Sequence, residues 1–329
     1  MKPVAQSRPY QAPPWLPGGH AQTIWPLLIK GPLPHYRRER WDTPDDDFID
    51  LDWIGGTPNA PCVALFHGLE GSSRSHYARR LMHAVEERGW HGVVVHFRGC
   101  SGEPNRLPRA YHSGDSAEID WVVRRLHARG YPALFLTGVS LGGNAMLKWL
   151  AEQGAEACSL VDAAVAISAP LDLAAANTAL SSGFNLVYAR HFLRTLVPAA
   201  LEKERRFPGR IDVRRTVSSR TLRDFDDAVT APLHGFQGAD DYYARSSAGP
   251  LLSTVMTPTL LLNAANDPFL PRTALPLNQH LPPAVTLEVP EHGGHVGFVH
   301  GVPPGRIDWL AQRILAHFDA NLSHSFVVR

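Results

Sequence analysis

The stretch Ala133-Leu134-Phe135-Leu136-Thr137-Gly138-Val139-Ser140-Leu141-Gly142-Gly143-Asn144 decides how this chain is read. Ala133 to Leu136 is a short apolar run of the buried-strand type, and Leu141 to Leu150 reads as a helix. The Gly-x-Ser-x-Gly pentapeptide Gly138 to Gly142 therefore falls on the turn between a strand and a helix. A glycine on each flank lets the chain reverse tightly. The serine between them is expected in a strained conformation, its hydroxyl standing clear at a helix N-terminus where backbone N–H groups are free. Outside that context the same pentapeptide is an ordinary Gly-rich turn.

Strand and helix signals alternate on both sides of it. Ile49, Leu51 and Trp53 alternate with Asp50 and Asp52, the period of two of a half-buried strand. Cys62 to Phe66 and Val93 to Phe97 are continuous apolar runs of the kind buried on both faces. Tyr77, Leu81, Ala84 and Val85 mark one helix face, stopped at Gly89. Ile119, Val122, Val123 and Leu126 mark another, ended by Gly130 and Pro132. Ala163 to Ser168, Thr259 to Leu262 and Val285 to Val289 add strands, and Ile307 to Phe318 a last helix. This rhythm predicts an α/β fold: a mostly parallel, doubly wound sheet with right-handed crossovers and helices on both faces.

The rhythm breaks over 171–257, where helical stretches such as Phe184 to Leu196 sit among Arg-rich and Asp-rich segments. An inserted helical cap between the sixth and seventh core strands is expected there. Residues 1–170 and 258–329 then form the core, with an N-terminal arm over 1–40 whose Pro13, Pro14 and Pro17 suit an ordered or draping segment.

Composition excludes several classes. The 329 residues carry 32 Lys+Arg against 31 Asp+Glu, a net +1, and the Arg pairs are scattered. Nucleic-acid binders and membrane-surface proteins usually show a basic excess or a one-sided run. Nothing nears the ~20 apolar residues that span a bilayer, so no integral membrane segment is expected. Cys62, Cys100 and Cys158 are an odd set in a long chain, which speaks for a reducing compartment. With no signal peptide legible in the proline-broken start, a cytoplasmic protein is expected.

A serine hydroxyl needs a base, and the base needs a carboxylate to fix its tautomer. On this architecture the chain order is Ser, acid, His. Asp267, in Asn266-Asp267-Pro268-Phe269, follows the strand Thr259 to Leu262, and His295, in His292-Gly293-Gly294-His295, follows the next. Asp172 is the rival acid, His292 and His300 are rival bases, and Asp267 also suits a turn before proline. The oxyanion donors are expected to be the N–H of Leu141 and, from the loop His67-Gly68-Leu69-Glu70-Gly71, the N–H of Leu69. Glu288, Glu291, His292 and His295 have ligand chemistry but no His-Glu-x-x-His spacing, so no metal is expected. Cys100 is read as a bystander thiol. Without a phosphate-binding Gly-rich loop, no cofactor is expected either.

Six segments together, Pro17-Gly18-Gly19-His20-Ala21-Gln22-Thr23, His67 to Ser72, Phe97 to Gly102, Gly138 to Asn144, Asn266 to Phe269 and Gly293-Gly294-His295-Val296-Gly297-Phe298, resemble the YheT-like branch of the α/β-hydrolase superfamily. The resemblance covers nearly the whole chain and departs from the branch pattern at Asp45-Asp46-Asp47, in a hairpin before the second strand. It implies an α/β-hydrolase fold, activity on acyl esters, and a triad at Ser140, Asp267 and His295. The expectation is a serine carboxylesterase acting on a small-molecule acyl ester, with no nucleic-acid partner. Two alternatives are an acyltransferase passing the acyl group to an alcohol and a non-catalytic ligand-binding member of the fold. Phe184, Leu186, Val187, Tyr188, Phe192 and Leu193 suit either an acyl-binding wall or packing onto the core. Neither the role of the Gly18-Gly19-His20 arm nor the oligomeric state follows from the sequence.

Overall fold

The computed structural model describes residues 9–29, 31–277 and 279–325. Eight strands, β1 (Arg37–Asp42), β2 (Phe48–Ile54), β3 (Cys62–Phe66), β4 (His91–Val95), β5 (Leu134–Val139), β6 (Ala163–Ile167), β7 (Thr259–Leu262) and β8 (Val285–Glu288), form one sheet in the order β1-β2-β4-β3-β5-β6-β7-β8. The pairs β1–β2 and β2–β4 are antiparallel and every other pair is parallel.

Twelve α-helices are described. Five precede β6: α1 (Gly19–Ile24), α2 (His76–Glu87), α3 (Ser116–His127), α4 (Leu141–Gln153) and α5 (Ala155–Leu160). Between β6 and β7 come α6 (Leu173–Leu180), α7 (Leu186–Arg206), α8 (Val213–Ser218), α9 (Leu222–Phe225), α10 (Ala231–His234) and α11 (Ala239–Ser246); α12 (Trp309–Ser325) closes the chain. The pleat sorts the core. Cys62, Ala64 and Phe66 of β3 pack with Ile119, Val122 and Leu147 of α3 and α4, while Val63 and Leu65 pack with Leu81, Val85, Ile314 and Phe318 of α2 and α12. A strand covered on both faces has no need of polar alternation, which is why β3 to β7 read as apolar runs.

β2 departs from the half-buried expectation, for all seven of its residues are buried. Its aspartates enter the interior with partners. Asp50 takes a bidentate pair from Arg40, and Asp52 accepts from Arg38, Ser73 and His96. The Asp45-Asp46-Asp47 hairpin is likewise an anchor: Asp47, fully buried, accepts from Arg98, Asn105 and the N–H groups of Phe48 and Arg106.

α7 is longer than its apolar periodicity suggested, running past Pro198. Its last turns are held from outside: Lys203 donates to Asn105 Oδ1 and to the carbonyls of Leu107 and Arg109, and Arg206 to the carbonyl of Asn105. Leu180, Leu193, Leu222 and Phe225 pack with Phe269 and Leu270 from the loop after β7, so the helices between β6 and β7 rest on the end of the sheet that carries Asp267.

Candidate active site

β5 ends at Val139 and α4 begins at Leu141, leaving Ser140 alone at the bend with φ 51° and ψ −121°. This left-handed backbone is strained for a residue with a side chain and is kept because its surroundings over-determine it. The helix start is pressed against the neighbouring strand: a Cβ on Gly142 would lie 2.5 Å from the carbonyl oxygens of Phe66 and His67. Glycine is the residue that lets the elbow approach so closely.

The loops after β7 and β8 bring two side chains to that serine. His295 Nε2 lies 3.1 Å from Ser140 Oγ, and His295 Nδ1 lies 2.8 Å from Asp267 Oδ2. A carboxylate only accepts, so Nδ1 carries the proton and Nε2 is left to accept from the serine hydroxyl. Asp267 is held in turn by the N–H of Phe269 on Oδ1 at 2.8 Å, and its side chain is fully shielded from water. The Phe269 ring stacks on the His295 imidazole at 4.2 Å.

Asp172 is placed elsewhere. It caps the N-terminus of α6 by accepting the N–H of Ala175 at 2.9 Å. His300 pairs with Asp308, and His292 is an exposed neighbour of Asn266. Glu288 is engaged by Arg313 and Glu291 by Arg272, so the four residues with ligand chemistry are drawn into separate contacts. Burial pushes the Cys100 thiol well up, against any thiolate role.

The loop His67 to Gly71 packs on the elbow, with Gly68 close enough that a Cβ there would lie 3.2 Å from Ser140 Cβ. Its N–H groups are held on both sides of Leu69. The N–H of Gly68 donates to the Tyr77 hydroxyl and that of Glu70 to Tyr111, which donates back to Glu70 Oε1. His67 is fully buried; its Nδ1–H donates to the carbonyl of Gly68 and its Nε2 accepts the N–H of Phe97. Burial holds it neutral, with its pKa pushed down to about 3. Between these anchors the N–H of Leu69 has no hydrogen bond among the described residues, and the same holds for Leu141.

The arm supplies residues that no sequence pattern assigned a role. Gln22, 1% exposed, accepts on Oε1 from Asn266 Nδ2 at 3.0 Å and from the N–H of Gly293 at 2.8 Å, while donating to the carbonyl of Leu16. Thr23 Oγ1 accepts the N–H of His295 at 2.8 Å and donates to the carbonyl of Gly19. Asn266 Oδ1 accepts the N–H of Gly294. A Cβ on Gly19 would lie 2.0 Å from the carbonyl of Asn266, so the helix start lies directly on the acid loop. The available signal was the motif itself, Gly18 to Thr23, which stands far in sequence from the two loops it holds.

Ser140 and His295 open into a cavity of about 470 Å³ walled by Thr23, Leu27, Leu69, Leu180, Phe192 and Phe269, among others. Leu69, Leu141, Leu173, Asn177 and Leu222 also line an inner chamber of about 210 Å³ that runs beneath α7 to Leu196, Ala200 and Phe225. A larger hollow of about 650 Å³, bordered by Asp172, Asp240 and His280, shares no wall with the serine cavity.

The sequence pattern of the alpha/beta hydrolase fold matches residues 61–302. The chain is 42% identical over 304 residues to the "Putative esterase YheT" of Escherichia coli (strain K12), spanning 90% of this chain and 88% of that one. It is 30% identical over 322 residues to "Phospholipase ABHD3" of Homo sapiens, spanning 94% and 78%. Among solved structures, a membrane phospholipase A described as a bacterial virulence factor shares the fold, with a TM-score of 0.56 and 18% identity over 90% of this chain and 89% of that one.

Proposed function

The chain belongs to the alpha/beta hydrolase fold family, in its YheT-like branch, and from that membership we propose that it is a serine carboxylesterase working through an acyl-enzyme. The observation that carries the proposal is the run of hydrogen bonds from Ser140 through His295 to Asp267, opening onto an apolar cavity. In the proposed cycle Ser140 Oγ attacks the ester carbonyl carbon while His295 Nε2 takes its proton. The carbonyl π electrons move onto oxygen, where the free N–H groups of Leu69 and Leu141 receive the charge. As the tetrahedral intermediate collapses, the carbon–oxygen bond to the alcohol breaks and His295 returns the proton to the leaving oxygen. A water then repeats the sequence on the acyl-enzyme and releases the acid.

Asp267 holds the imidazole in the tautomer the cycle needs and stabilises the imidazolium. Every proton and charge is held by side chains or backbone, so the scheme requires no cofactor. Residues 171–257 serve as a cap, with the inner chamber beneath α7 taking the acyl chain. An acyl ester of a lipid agrees with the phospholipase name of the human relative. A cytoplasmic setting agrees with the three free cysteines.

The test is Ser140→Ala with a fluorophosphonate probe. Turnover of an activated ester falls roughly 10⁶-fold with the fold intact, and the probe adds to the peptide containing Ser140 in the wild type and to none in the variant. A folded Ser140→Ala protein with near-wild-type activity would sink the assignment.

A further inference from the structure

The balanced charge of the whole chain conceals a local asymmetry. The sequence contains no Asp or Glu from residue 1 to 38, and none from 173 to 201. These two stretches contribute opposite lips to the serine cavity: Thr23, Ile24 and Leu27 from the arm, and Leu180, Tyr188, His191, Phe192 and Thr195 from α6 and α7. They touch each other, for the His20 ring packs on Phe184 at 4.6 Å and His20 Nδ1 lies 3.2 Å from the Tyr188 hydroxyl.

The same lips carry apolar side chains that the fold leaves in water. Leu28 is 71% exposed, Leu27 54%, Phe184 52% and Val187 50%, with Ile24 beside them. Isolated exposed leucines need no explanation, but apolar groups gathered around a cavity mouth do. On α7, Val187, Arg190 and Arg194 follow one another at helical spacing, a neighbouring stripe to the cavity-lining Tyr188, Phe192 and Thr195. Arg190 and Arg194 are exposed and form no ion pair among the described residues, and Arg74 is exposed at the cavity wall.

We propose that this mouth docks on an anionic phospholipid surface, with Ile24, Leu27, Leu28, Phe184 and Val187 entering the acyl region and Arg190 and Arg194 meeting headgroup phosphates. An apolar rim with basic flanks and no acidic group on either lip is what such an interface selects, since insertion scales with buried apolar area and anionic lipid attracts the arginines. The rim is continuous with the apolar cavity walls, so an acyl ester passes from the bilayer to Ser140 without crossing water. Docking itself is independent of catalysis; only the delivery of an ester rests on the esterase reading.

Co-sedimentation of the full chain with phosphatidylcholine vesicles, with and without phosphatidylglycerol, tests it. Wild-type protein binds the phosphatidylglycerol vesicles, binds neutral ones more weakly, and loses affinity as salt is raised. Leu28→Asp combined with Val187→Asp lowers the partition coefficient by roughly 100-fold, while turnover of a short water-soluble ester is unchanged, because neither side chain lines the cavity. Arg190→Gln and Arg194→Gln each lower it by about fivefold and together flatten the salt dependence. Absence of wild-type binding to anionic vesicles overturns the proposal, as does a doubly substituted protein that binds like wild type. A dimer in size-exclusion chromatography that Leu28→Asp splits, with no vesicle binding, assigns the surface to a second copy and overturns it too. A Ser140→Ala protein that keeps its esterase activity removes the function proposed above while vesicle binding still supports this surface.

Discussion

Thr23 Oγ1 accepts the backbone N–H of His295 at 2.8 Å, across 272 residues of chain. The N-terminal arm is thus part of the scaffold that sets the imidazole. Gln22, its neighbour, joins the acid loop at Asn266 to the base loop at Gly293 through a single buried oxygen. In the proposed triad the imidazole must reach both Ser140 and Asp267 and tolerates little drift, and a misplacement near 1 Å costs on the order of 10²-fold in rate.

Gln22→Met keeps about the same volume and removes the acceptor shared by Asn266 Nδ2 and the N–H of Gly293, unlinking the two loops. We expect kcat to fall by roughly 10²-fold with KM nearly unchanged, since the residue touches no substrate. Steady-state kinetics on a soluble ester separate the two parameters. A rise in KM alone, with kcat kept, means that the arm shapes the substrate wall instead of the triad.

Asp267→Asn preserves shape but reverses the polarity of the hydrogen bond to His295 Nδ1, and kcat is expected to fall on the order of 10⁴-fold. Asp172→Ala removes the cap of α6 and is expected to cost about 1 kcal/mol of stability with kcat little changed. The measurements are kcat on an activated ester and urea unfolding followed by circular dichroism. Should Asp172→Ala take the large kinetic loss, the acid of the proposed triad is misassigned.

Much of this was legible beforehand because the signals are local. The turn Gly138 to Gly142 between an apolar run and a helix, and the glycines before His295, mark backbone that must bend at those points, and each announces itself within five residues. The arm was illegible for the opposite reason. Gln22 and Thr23 are ordinary helix residues whose partners in the acid and base loops lie over 240 positions away, so periodicity carries no trace of them. β2 misled for a related reason: Asp50 and Asp52 look like a solvent face until Arg38 and Arg40 are laid across them by the β1 pairing.

The proposed oxyanion loop offers a third expectation. Tyr111→Phe removes both the acceptor for the N–H of Glu70 and the donor to its carboxylate, loosening the backbone beside Leu69. A donor that wanders loses part of the 10²–10³-fold that one oxyanion contact contributes, so kcat is expected to drop by roughly 10-fold with little change in KM. Unchanged kcat would free Leu69 from the proposed role.

The last expectation concerns acid stability. Four histidines are held largely buried and neutral, with His67 and His234 pushed down to about 3 and His112 and His317 to about 4, chiefly by desolvation. Unfolded, each titrates near 6.5. Below that pH the unfolded chain therefore binds protons that the folded chain refuses, so these groups stabilise the fold above about pH 6.5 and lose that contribution as pH falls toward their folded values. Two carboxyls work the other way: burial raises Asp226 to about 6 and, with Asp115 nearby, raises Glu118 above the ordinary carboxylate range against the pull of Arg98. Between about pH 6 and pH 4.5 the folded chain holds protons on both that the unfolded chain releases. Four imidazoles against two carboxyls leave the balance with the unfolded state, so stability is expected to fall on acidification. Urea unfolding at pH 7, 6 and 5 reads this slope directly. Asp226→Asn deletes one of the two opposing carboxyls, so its slope should be steeper than the wild-type slope. A flat profile, or stability that rises toward pH 5, would mean that these imidazoles are reached by protons in the folded state.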